Sequence, residues 1–127
     1  MLMAERWVID DGSADPVPSE AVLGALRARV RTGLPETWLT GTSGRSVAFV
    51  TNTERAMVML LDAEGDPGEH AVDPGGEGSS KGFVLSSGQH DEYLDHDTVP
   101  IGEAFRLVEH IVRAGSWPED AHWAVDR

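Results

Sequence analysis

The stretch Ser46-Val-Ala-Phe-Val-Thr-Asn-Thr-Glu-Arg-Ala-Met-Val-Met-Leu-Leu61 decides the fold. Two hydrophobic and β-branched runs, Ser46 to Thr51 and Ala56 to Leu61, are separated by the turn formers Asn52-Thr53-Glu54, which is the pattern of a β-hairpin. Strands this short, joined this tightly, pair antiparallel. The run from Ala56 to Leu61 is apolar at every position, which predicts a central strand covered on both faces. Just upstream, Thr37 to Thr40 reads as another strand, connected through the turn Gly41-Thr42-Ser43-Gly44.

Toward the N-terminus, residues 5–10 read as a first strand with Trp7 and Ile9 on one face, followed by a turn-rich connector from Asp11 to Pro18. Ser19 is a suitable N-cap, Glu20 suits the positive end of a helix, and Val22, Leu23, Leu26 and Val30 recur at helical spacing until Gly33. Toward the C-terminus, six glycines and two prolines crowd into residues 62–82. They predict two turns around a short strand, Glu69 to Val72. Gly82 to Ser86 reads as a strand and Gly88 to Asp97 as a polar loop. Pro100 sets the approach to a second helix, Ile101 to Ala114, whose apolar stripe is Ala104, Phe105, Val108, Ile111 and Val112. Gly115 ends it, and Ala121 to Val125 is a last short strand. The expected fold is α+β: one domain over residues 1–127, a mostly antiparallel sheet with two α-helices packed on it.

The chain has 127 residues, none of them cysteine, which excludes a disulfide framework, a thiol nucleophile and cysteine-built metal centres. Its formal net charge is −12. The charge is concentrated: from Asp62 to Asp97 ten acids face the single base Lys81, so this stretch carries −9. Phosphate-rich nucleic acid and anionic membranes are disfavoured partners, which leaves a basic partner or plain solubility. The first residues lack the apolar core of a signal peptide, and the longest unbroken hydrophobic run, Ala56 to Leu61, is too short to span a membrane. The expected location is the cytoplasm.

The densest polar cluster, Gln89 to Asp97, holds two histidines and four carboxylates. His90, Asp91, His96 and Asp97 raise the alternative of a metal-assisted hydrolase. Their spacing matches neither a helical His-x-x-x-His pair nor an EF-hand loop, so a solvated or protein-binding loop is expected instead. Gly76-Glu77-Gly78 is no phosphate cradle, and no serine-hydrolase elbow is expected. His70, His110 and His122 lie in no motif. Of four tryptophans, Trp7, Trp38 and Trp123 are expected in the core or at its edge, and Trp117, in the turn before Pro118, is the candidate for an exposed interface anchor. The residues describe a small acidic binding domain with no catalytic constellation, cofactor or metal.

The C-terminal third carries short motifs in a fixed order: Gly82-Phe83-Val84-Leu85-Ser86-Ser87-Gly88, Glu92-Tyr93, Val99-Pro100, Glu103-Ala104 opening a helix, Gly115-Ser116-Trp117-Pro118-Glu119, and Trp123 in the final strand. With Met57 to Leu60 and the glycine-rich segment after it, this resembles the first immunity-protein family of bacterial polymorphic toxin systems, which guard against deaminase-type toxins. Leu94 stands where that family's loop usually has proline. The resemblance implies a protein that binds a cognate toxin domain and occludes its active site or substrate groove without catalysis. A nucleic-acid-directed toxin has a basic groove, so the acidic residues become candidate contacts: Asp62, Glu64, Asp66 and Glu69 in one segment, Asp91, Glu92, Tyr93 and Asp95 in the other, with Trp117 as anchor. An acidic regulatory domain with another basic partner is the further alternative.

Overall fold

The computed structural model describes residues 5–9, 15–85 and 87–127. Its elements in chain order are β1 (Arg6–Ile9), β2 (Val17–Pro18), α1 (Ser19–Arg31), β3 (Glu36–Gly41), β4 (Ser46–Thr51), β5 (Arg55–Leu61), β6 (Glu69–Ala71), β7 (Ser79–Val84), β8 (His90–Leu94), a 3-10 turn (Asp95–Asp97), β9 (Val99–Pro100), α2 (Ile101–Ala114) and β10 (Trp123–Val125). The main sheet is antiparallel, in the order β10-β6-β5-β4-β3-β1-β2, with β9 beside the start of β5. Strands β7 and β8 form a separate hairpin. Both helices pack on one face of the main sheet, giving the expected α+β domain. No helix among the described residues is long and apolar enough to cross a membrane.

Register assigns each side chain to a face. Cross-strand partners Leu39↔Val47↔Leu60 and Thr37↔Phe49↔Val58 stand on the helix side. There Val47, Phe49, Val58 and Leu39 are wholly buried against Val22 and Leu26 of α1 and Leu107, Val108 and Ile111 of α2. Each such aliphatic side chain contributes roughly 1.5–3 kcal/mol of transfer free energy. Phe105 of α2 stacks on Phe49 with ring centroids 5.5 Å apart, and the Arg27 guanidinium of α1 lies 5.1 Å above the Phe105 ring.

The strand buried on both faces is β4, not β5. Val47 through Thr51 are all buried, whereas β5 alternates buried residues with the half-buried Met57, Met59 and Leu61. The apolar run that predicted a doubly covered β5 reflects one core face and one partly open face. Strand β4 holds the middle place, and the β7–β8 hairpin packs against it from the side away from the helices.

Other expectations change in detail. The polar loop foreseen from Gly88 to Asp97 contains strand β8 and the 3-10 turn. Ser19 is not an N-cap: Pro18 takes that position with φ −69°, and Ser19 Oγ donates instead to the Val112 carbonyl at 2.8 Å. Trp7 Nε1 reaches the same oxygen at 3.2 Å, so both residues tie the N-terminal segment to the last turn of α2. Strand β6 ends at Ala71, and β7 begins at Ser79, before Gly82. Residue 10 of the first strand, 11–14 of the connector and Ser86 lie outside the described residues.

Candidate functional site

The acidic candidates fall into two groups held by different elements. The first lies after β5. Arg127 grips Asp66 with two hydrogen bonds, Nε to Oδ1 at 2.9 Å and Nη2 to Oδ2 at 2.8 Å, and also reaches Asp62 Oδ2 and Glu69 Oε2 at 3.0 Å. The fork geometry of guanidinium on carboxylate makes this a directional clasp. The Arg127 hydrogen bond holds the Asp66 carboxyl below its ordinary range. Glu69 also accepts a 2.9 Å hydrogen bond from Trp117 Nε1. Three candidate contacts thus already have partners within the chain. Glu64 lies in the exposed loop beyond β5.

Trp117 itself corrects an expectation. It is buried, 7% exposed, and stacks on Trp123 with centroids 6.0 Å apart, whereas Trp123 is 40% exposed. The turn at Pro118 folds Trp117 inward, because the following strand, β10, pairs with β6 and brings Trp123 over it. Trp123, expected in the core or at its edge, lies at the edge, stacked on Trp117 and partly in solvent.

The second group sits on the β7–β8 hairpin and, for Asp95, at the start of the 3-10 turn that follows it. Asp91 accepts hydrogen bonds from Tyr93 Oη at 2.9 Å and Gln89 Nε2 at 2.7 Å, and Glu92 accepts one from Ser79 Oγ. The Tyr93 ring meets the wholly buried Phe83 edge-on, centroids 4.8 Å apart. Burial first, then the carboxylates of Asp91 and Glu36, push the Tyr93 phenol up to about 12. Asp95 is a structural residue: Ser80 Oγ donates to its carboxylate, and Arg55 Nη2 donates to its backbone oxygen at 2.9 Å. Arg55 also donates to Asp73 Oδ2 at 2.8 Å, Thr98 Oγ1 at 2.8 Å and the Thr98 carbonyl at 2.9 Å. Its hydrogen bond holds the Asp73 carboxyl below the usual range. Gly76 lies so close that a Cβ there would stand 2.7 Å from the Asp95 carbonyl carbon, which gives one glycine of the rich segment its reason.

A third cluster carries no sequence signal. His70 of β6 sits between two carboxylates, Nε2 3.1 Å from Asp97 Oδ1 and Nδ1 2.9 Å from Asp126 Oδ2. Burial opposes its charge, but the hydrogen bonds of Asp126 and Asp97 outweigh that and raise the imidazole above its ordinary value. Asp126 lies far along the chain, so no local pattern announces the arrangement.

The four residues of the metal alternative are not assembled. His90 and Asp91 occupy adjacent positions on β8, His96 and Asp97 belong to the 3-10 turn, and Asp97 is engaged by His70. Among the described residues no group of three or more metal-ligating side chains is suited to hold an ion. Gly78-Ser79-Ser80-Lys81-Gly82 does have Gly-x-Ser-x-Gly spacing, contrary to the expectation that no such elbow exists. It lies in and beside β7 of a hairpin, not at a strand-to-helix turn, and Ser80 is bonded to Asp95.

Opposite the helices the main sheet is partly open. A groove of about 560 Å³ is lined by Trp38, Thr40, Gly44, Ser46, Leu61, Ala63, Glu64 and Gly65. Trp38, expected in the core or at its edge, is half-buried there, because its register partner Ala48 belongs to the face away from the helices. Glu36 Oε2 accepts its indole N–H at 2.8 Å. No protein-family model matches this chain, and no curated protein matches it.

Proposed function

We propose that this protein binds and neutralises a cognate bacterial toxin domain, a deaminase acting on cytosine in nucleic acid, by covering its active site or substrate groove with an acidic surface. It performs no catalysis and acts in the cytoplasm of the cell that makes the toxin. The observation that carries this reading is a fixed acidic array. Asp91 and Glu92 are held on a hairpin by Tyr93, Gln89 and Ser79, on a chain of net charge −12. Carboxylates fixed before encounter lose little entropy on binding, and a one-signed field steers a basic partner toward them. The ordered motifs from Gly82 to Trp123 support the same reading through their resemblance to immunity proteins.

The test is a binding titration against the toxin domain encoded beside this gene, at about 0.05 M and about 0.5 M salt, where the screening length changes severalfold. The expected result is nanomolar or tighter binding, with association about tenfold slower at the higher salt. Tight binding indifferent to salt would retain the activity and remove the acidic surface as its contact. Absence of binding would overturn the proposal.

A further inference from the structure

Granting the function proposed above, we infer that the basic partner docks on the open face of the sheet, with Trp38 as anchor, and not on the Asp62–Asp66–Glu69 cluster. That cluster is satisfied within the chain by Arg127 and by the Trp117 indole, so an incoming cation would have to displace both. The open face has the reverse character. Strand pairing puts Trp38, Ala48, Met59 and His70 in one row across four strands, with Thr40, Ser46 and Leu61 in the next. Among the described residues Trp38, Met59 and Leu61 are only half-buried; Ala48 in the same row is buried, and the β7–β8 hairpin packs on β4 from this side without lining the groove, while both helices lie on the other side of the sheet.

The groove's electrostatics select its occupant. Among the described residues its lining contains no lysine or arginine, and the one charge there is Glu64. Arg45, the nearest cation in sequence, alternates to the helix side, where its guanidinium packs against Gly115. Glu36 accepts the Trp38 indole N–H, which fixes the ring. A fixed indole with the Glu64 carboxylate in the same groove, and methionine and leucine alongside, suits a guanidinium flanked by apolar side chains. The partner chemistry is therefore an arginine-bearing surface loop, gripped by cation–π contact and apolar burial together.

Two measurements test this. The first titrates ¹⁵N-labelled protein with a short arginine–leucine peptide. The Trp38 indole resonance and the Met59 and Leu61 amides are expected to shift together; shifts confined to Asp62–Glu69 or to Trp123 would overturn the inference. The second compares variants for affinity to the neighbouring toxin domain. Trp38→Ala and Thr40→Arg, the latter at an exposed position that leaves the core untouched, are each expected to weaken binding at least about tenfold, as truncation of an interface anchor does. Asp66→Asn is expected to change it less than about twofold, in the range of a rim charge. Full affinity in both face variants, with wild-type binding intact, would overturn the docking face and leave the function standing. If the wild type does not bind the toxin, the function falls, and the peptide shifts alone judge the face.

Discussion

His70 shows how a single side chain acquires a role from residues far along the chain. His70 belongs to no motif in the sequence, yet β6 presents it to Asp97 and Asp126 at hydrogen-bond distance. Its raised value dictates the sign of a pH effect. Protonated His70 stabilises the fold fully below the ordinary histidine value of 6.5, and that contribution is lost as pH rises through the higher folded-state value. A His70→Gln variant is therefore expected to melt below the wild type by the widest margin under mildly acidic conditions, with the gap narrowing at alkaline pH. Melting temperatures across that range, read by circular dichroism, decide it; a gap independent of pH would remove the charge from the account. The tryptophans make the complementary point. All four are visible in the sequence, but only register and turn geometry reveal that Trp117 turns inward while Trp38 and Trp123 stay partly in solvent.

The elements differ in how plainly the sequence announces them. Helix α2 has the bounds its pattern predicts, because Pro100 precedes its first residue and Gly115 caps it with φ +80°. Both helices follow a two-residue Val-Pro strand, β2 or β9, so the same dipeptide extends a sheet edge and then starts a helix. The β7–β8 hairpin was hard to read because its strands are rich in Ser, Lys, His, Asp and Glu. They cohere through cross-strand hydrogen bonds and the Phe83–Tyr93 contact, and not through an alternating apolar pattern. Arg55 fastens this region by joining β5 to Asp73, to the 3-10 turn and to Thr98. Replacing it with methionine preserves bulk but leaves Asp73 and Asp95 without their cation, at an expected loss of about 3 kcal/mol in urea unfolding. An unchanged midpoint would show that the glycine-rich segment holds its place without the guanidinium.

At the scale of the molecule, the fold class was legible, since hairpin turns, two amphipathic helices and strand spacing all pointed to one antiparallel α+β architecture. The candidate surface was less so. Counting acids located the charge, but a charge count cannot tell a carboxylate gripped by Arg127 from one facing solvent, and the open side of the sheet appears only once register is known. The arrangement of the sheet also has a kinetic reading. Strands β3, β4 and β5 are sequence neighbours joined by tight turns, so they close short loops, whereas β10 pairs with β6 across a long intervening segment. Consecutive pairing favours the middle of the sheet as the part that assembles first and opens last. In heavy water, the amides of β4 are expected to exchange only through complete unfolding, while those of β10 exchange through partial openings that leave the meander intact. The last strand would then detach and re-dock on its own, carrying Trp123 with it.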